Sequence, residues 1–136
     1  MESTKSMNPT TSMSDESALT ILAVDDDALV LMSTCAMLEE LGHTVLEAVS
    51  GKDALRILLE VGDVDLVITD QAMPGMSGVE LAQAMKEQRP NLPIVVATGY
   101  SDLPPGSPSY PMIAKPFGEK ELARVILEVL GARNKA

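Results

Sequence analysis

Aromatic residues are almost missing: the 136 residues include one Phe, two Tyr and no Trp. A core without rings must be built from Val, Leu, Ile, Ala and Met, which suits helices packed on a parallel sheet. A single cysteine, Cys35, excludes any disulfide within the chain, and its place in an apolar helical stretch makes it a small buried hydrophobe. Basic residues are scarce too, 10 against 20 acidic ones, for a formal charge of −10. No Lys/Arg cluster offsets that charge, which argues against nucleic acid or an anionic membrane as a direct partner. No run approaches the length of a membrane span, and the opening MESTKSMNPTTSMSDES lacks the apolar stretch of a signal peptide. A cytoplasmic location is the expectation. The same opening has no periodicity, so residues 1–17 read as a disordered tail or linker.

What remains suffices for one domain: 46% of the residues are hydrophobic, and nine methionines supply packing material. Thr20 to Val24 (TILAV) reads as a buried strand that stops at three acids, Asp25, Asp26 and Asp27. From Ala28 to Leu41, the residues Leu31, Cys35, Leu38 and Leu41 recur at helical spacing, and Gly42 supplies a stop. His43 to Ala48 reads as a second strand, with His43 a surface turn residue at its start. Ser50 then caps a helix from Lys52 to Val61 with Leu55, Leu58 and Leu59 on one face. Leu66 to Thr69 makes a third strand, and Ser77 caps a helix from Met76 to Gln88. Pro90, Asn91 and Pro93 break the chain ahead of the run Ile94 to Ala97. Met112 to Ala114 is short but strand-like, and Glu119 to Leu130 is a final amphipathic helix.

Strands alternating with helices at this spacing imply βαβ units and a parallel sheet covered on both faces. In such sheets functional groups gather outside the carboxyl ends of the strands. Asp25, Asp26, Asp70, Thr98 and Lys115 each follow a strand-like run closely, so all five are expected at one edge. Carboxylates held together in a low-dielectric crevice repel one another, and a cation must compensate them. An all-oxygen donor set without His or Cys selects a hard ion, Mg²⁺. Thr98 can donate a hydrogen bond, and Lys115 offers a point charge suited to phosphate. The set is built for phosphoryl chemistry, with one Asp as nucleophile and cations against developing charge. Taken singly, each residue has a plainer role: Asp27 as a helix cap, Asp70 as a turn former before Pro74 and Gly75, Lys115 as a solvated lysine. Joint placement is what favours a site.

VDDD (24–27), TDQAMPGMSG (69–78), ATG (97–99) and KPF (115–117), in that order, resemble the receiver domain of two-component response regulators over residues 20–130. The resemblance implies a doubly wound five-stranded parallel sheet of the flavodoxin-like, CheY-like (βα)5 type, with residues 18–132 as the receiver and 133–136 as a tail. It implies Asp70 as phosphoacceptor, and Asp25, Asp26, Asp70 and the carbonyl of Ala72 as Mg²⁺ ligands. Thr98 would be the switch hydroxyl and Lys115 the phosphate-sensing lysine, aimed by a cis-proline at Pro116. The implied partners are a histidine kinase or histidine phosphotransfer protein as phosphodonor and a downstream protein that reads the state. Such a domain is not an enzyme acting on others; it catalyses only its own phosphorylation and dephosphorylation. No output domain is expected after the last helix, which implies action through another protein.

Some residues depart from the family's pattern. SDLPPGSPSYP (101–111) stands where receivers carry their fourth helix, and each interior proline costs a helix about 3 kcal/mol. That helix is expected to be short, disordered or missing, with a loop there that phosphorylation orders. Met112 stands three residues before Lys115 in place of the usual switch aromatic, leaving Tyr100 and Tyr110 as substitutes. ATGY resembles the receiver subgroup called FATGUY, with Val96 where its Phe would be. Ala72 cannot orient an attacking water and Tyr100 could obstruct one, implying slow self-hydrolysis. Two rival readings remain. Asp25-x-Asp27 also resembles the nucleophile motif of haloacid-dehalogenase-type phosphatases, with Asp25 as nucleophile and Asp27 as acid/base. A degenerate receiver would serve only as a protein-interaction module.

Overall fold

The computed structural model describes residues 18–99 and 110–135. Five strands, β1 Thr20–Val24, β2 Thr44–Ala48, β3 Leu66–Asp70, β4 Ile94–Thr98 and β5 Met112–Ala114, form one parallel sheet in the order β2-β1-β3-β4-β5. Among the described residues four helices accompany them: α1 Ala28–Glu40, α2 Gly51–Val61, α3 Gly78–Gln88 and α4 Glu119–Lys135.

The strands sort their side chains by parity. Ile21, Ala23, Leu66, Ile68 and Val95 pack with Leu31, Cys35 and Leu38 of α1 and with Leu122, Val125 and Ile126 of α4. Leu22, Val24, Val67 and Ile94 face the other way, onto Ala54 and Leu58 of α2 and Leu81, Ala82 and Met85 of α3. Period-two strands thus meet helical stripes on both faces, the doubly wound CheY-like arrangement that the sequence predicts. Leu22, Leu38, Leu58 and Leu81 are wholly buried, and each such side chain contributes about 1.5–3 kcal/mol.

Three local expectations need correction. Leu59 is 70% exposed, because one residue turns a helix by about 100° and the buried stripe of α2 is Gly51, Ala54 and Leu58. His43 is no plain surface turn residue: it is half-buried, and its Nδ1 accepts the Leu19 N–H at 3.1 Å, tying down the entry to β1. Burial pulls its basicity below the ordinary imidazole range. The last helix continues past Leu130 to Lys135, through the expected tail, because the Ala and Arg after Gly131 favour helix. The expected N-terminal tail, Tyr100 and most of the proline-rich segment lie outside the described residues. No described helix is long and apolar enough to cross a membrane.

Candidate functional site

The chain leaves β1 towards β2 on one side and takes up β3 on the other, so the sheet order reverses at β1. Such a reversal opens a crevice at the carboxyl ends of the strands. Asp25 and Asp26 follow β1, Asp70 closes β3, and Lys115 follows β5. One carboxylate oxygen from each of Asp25, Asp26 and Asp70 lies within 4.8 Å of the others. Lys115 Nζ donates to Asp70 Oδ1 at 2.9 Å and stands 3.7 Å from Asp25 Oδ2. Four of the predicted residues are therefore in one place.

The remaining described residues occupy the flanking strands and loops. Asp70 is registered with Ala97, and Thr98, the next residue of β4, accepts the Lys115 N–H on its carbonyl at 2.9 Å. The Lys115–Pro116 peptide is cis, as expected. Ala72 is exposed between buried Gln71 and Met73. Met112 opens β5 at 50% exposure, and Tyr110 packs against the core beneath α2 and α3. Asp27 is spent on capping: one carboxylate oxygen accepts the N–H groups of Leu29 and Val30 at 3.0 and 3.2 Å. That use leaves it poorly suited to acid/base work beside Asp25, and weakens the phosphatase reading.

Burial is the largest influence on Asp25 and pushes its carboxyl above the usual range. The Asp27 N–H on Asp25 Oδ1 at 2.9 Å opposes this, Asp70 adds to it, Lys115 subtracts and Asp26 adds. Without metal, the folded state therefore holds the Asp25 proton more tightly than the unfolded chain does. The resulting penalty is absent below about pH 3, where both states are protonated, and grows as pH rises through the ordinary and then the raised value. Asp25→Asn keeps an oxygen for the Asp27 N–H and removes the charge. In metal-free buffer it is expected to be more stable than the wild type at neutral pH, with the gap closing on acidification. Urea unfolding of the two proteins across pH checks this, and a gap that widened in acid would contradict it.

The loop after Asp70 depends on two glycines. Gly75 takes φ 83°, a conformation that side chains disfavour. At Gly78 the constraint is space: a Cβ there would meet the Asp70 carbonyl oxygen at 2.5 Å and Gln71 Cα at 3.0 Å. Both are backbone atoms, so no side-chain rotation relieves the clash. Gly78→Ala is expected to lose about 1–3 kcal/mol in urea unfolding and to shift the loop that carries Asp70. Unchanged stability would show that the approach is looser than it stands here.

Gln71 was not among the expected site residues. It is 5% exposed, and its Oε1 accepts the Val79 N–H at 2.9 Å. The available signal was a polar residue directly after a fully buried strand, which must find a partner.

The family model for the response regulator receiver domain matches residues 21–127. Sensor kinase CckA of Brucella abortus is 34% identical over 117 residues, covering 82% of this chain and 12% of that protein. The phosphate regulon transcriptional regulatory protein PhoB of Pseudomonas aeruginosa is 33% identical over 120 residues, covering 82% of this chain and 51% of that protein. The chain thus spans about half the length of one of these curated relatives and far less of the other. A solved CheY-like receiver domain protein from Methanospirillum hungatei superposes with TM-score 0.77 at 31% identity, over 88% of this chain and 98% of that one. These likenesses concern the family as a whole and lend no support to the FATGUY subgroup. A match that begins at Ile21 in β1 and ends at Leu127 in α4 reaches all five strands and the whole crevice, and on that extent the chain belongs to the response regulator receiver domain family.

Proposed function

We propose that this domain accepts a phosphoryl group on Asp70 from a phosphohistidine of a histidine kinase or histidine phosphotransfer protein, and signals the change to a downstream protein. The observation that carries the reading is Lys115 Nζ at 2.9 Å from Asp70 Oδ1, with Asp25 and Asp26 clustered alongside. A buried carboxylate beside a cation is positioned to attack phosphorus. As the new P–O bond forms, the P–N bond to the donor imidazole breaks, and the departing nitrogen takes a proton. Lys115 stands where it can counter charge on the transferred oxygens, and Thr98 at the end of β4 supplies the switch hydroxyl. Asp25, Asp26, Asp70 and the Ala72 carbonyl are the groups that would hold Mg²⁺, and the all-oxygen cluster fits that ion. When bound, Mg²⁺ supplies neutralisation of the negative charge that gathers during transfer.

An apolar groove of about 440 Å³ adjoins Lys115, lined by Leu29, Val30, Met37, Pro116 and Phe117. Leu29 of that lining is 75% exposed, and Met32 on the same helix is 64% exposed. An exposed apolar helix face next to the acceptor supports docking of the phosphodonor protein along α1.

Exposure to acetyl phosphate and Mg²⁺, followed by intact mass and peptide mapping, tests the reading. One phosphoryl group on Asp70, absent without Mg²⁺, is expected. Phosphate on Asp25 would favour the phosphatase reading. None from acetyl phosphate or from a phosphohistidine donor would sink phosphotransfer and leave an interaction module.

A further inference from the structure

The first turn of α3 presents four N–H groups that have no partner within the helix. Ser77 and Glu80 satisfy two of them reciprocally, the Ser77 N–H on Glu80 Oε1 at 2.9 Å and the Glu80 N–H on Ser77 Oγ at 3.2 Å. Both of the others go to one residue outside the helix. The Gly78 N–H reaches the Gln71 carbonyl at 3.0 Å, and the Val79 N–H reaches Gln71 Oε1 at 2.9 Å. Gln71 thus completes the cap of α3 from the other end of the loop.

The same residue is held on its other sides. Its N–H donates to the Ala97 carbonyl on β4 at 2.9 Å, and its carbonyl also takes the Met73 N–H at 3.2 Å. Asp70 precedes it directly, and Ala72 follows between it and buried Met73. Backbone bonds alone would close this loop. The side-chain bond adds a second tie, placed against the Asp70 carbonyl by the close approach at Gly78.

We infer that Gln71 is a positioning residue that clamps the acceptor loop to the first turn of α3 and so presets Asp70 and the Ala72 carbonyl for a divalent cation. The inference rests on the receiver reading for its choice of Mg²⁺. Its physical content is linkage: if the clamp favours the ion-binding arrangement, ion binding must in turn favour the clamp. Loss of the acceptor leaves a buried N–H unpaired, and the loop then samples arrangements that do not bind.

Mg²⁺ titration of the whole chain by calorimetry, with amide hydrogen exchange, provides the test. Gln71→Met keeps the bulk and removes the acceptor, while Gln71→Glu keeps an acceptor oxygen. Gln71→Met is expected to weaken Mg²⁺ binding about tenfold and to deprotect the Val79 amide, with Gln71→Glu retaining both. In the wild type, saturating Mg²⁺ should slow exchange at Val79 more than at the far end of the sheet. Gln71→Met binding within twofold of the wild type would overturn the inference, as would a Val79 amide indifferent to Mg²⁺ in the wild type. The second measurement stands even if the variant fails to fold. Mapping of phosphate in the wild type reads out separately: its failure would sink the phosphotransfer reading and leave the Mg²⁺ result to judge Gln71.

Discussion

Asp70→Asn is expected to remove phosphoryl incorporation down to background while leaving the domain folded. An amide oxygen has neither the charge nor the nucleophilicity of a carboxylate, so the attack on phosphorus has no substitute atom. Asp25 is the acceptor of the phosphatase reading, yet Lys115 approaches Asp70 at 2.9 Å and Asp25 only at 3.7 Å. Loss of one of three clustered carboxylates also costs Mg²⁺ affinity, expected to fall tenfold or more, about 1.4 kcal/mol for each factor of ten. Stability without metal should change by less than about 1 kcal/mol, the net worth of an ordinary hydrogen bond. Asn still offers an oxygen to Lys115, and the repulsion from Asp70 that helps to raise the Asp25 carboxyl is gone. Phosphopeptide mapping, calorimetry with Mg²⁺ and urea unfolding read the three effects independently. Incorporation at the wild-type level in this variant would mean that the acceptor is another residue.

The contrast between Asp70 and Gln71 shows what a sequence makes legible. Asp70 could be placed because the unbroken apolar run Leu66, Val67 and Ile68 marks a buried strand, and in a parallel sheet all carboxyl ends share one edge. The same geometry put Asp25, Asp26 and Lys115 together before any distance was known. The cap at Asp27 was legible because its partners are two and three residues away. Gln71 was not, since its partner is eight residues on across a loop whose path sequence does not reveal. His43 escaped in the same way, with Leu19 24 residues distant. Gly78 fell inside the helix expected from Met76, and only the approach of the Asp70 backbone shows why no larger residue fits. Local period and order carry the architecture; contacts across loops carry the adjustment of the site.

Lys115→Met separates two jobs of one charge, because its expected effects run in opposite directions. Phosphoryl transfer should slow by about 10²–10³, the usual loss when one preorganised charge-stabilising donor is removed. Mg²⁺ affinity should rise, since Lys115 and a divalent cation compete for Asp70 and Asp25, which it approaches at 2.9 and 3.7 Å. Stability without metal should fall, because Asp25 and Asp70 are 6% and 5% exposed and would face each other without that cation. Breaking a fully buried pair costs about 3–5 kcal/mol. The Lys115 side chain is 27% exposed, so solvent screens part of this and a smaller loss follows. Saturating Mg²⁺ should then return more stability to the variant than to the wild type, as mass action requires of the tighter binder. Urea unfolding with and without Mg²⁺, beside the rate of acetyl phosphate labelling, measures all of these in one pair of proteins. A variant that lost rate and Mg²⁺ affinity together would show that Lys115 works by holding the Asp70 side chain in place, and its charge would then be secondary.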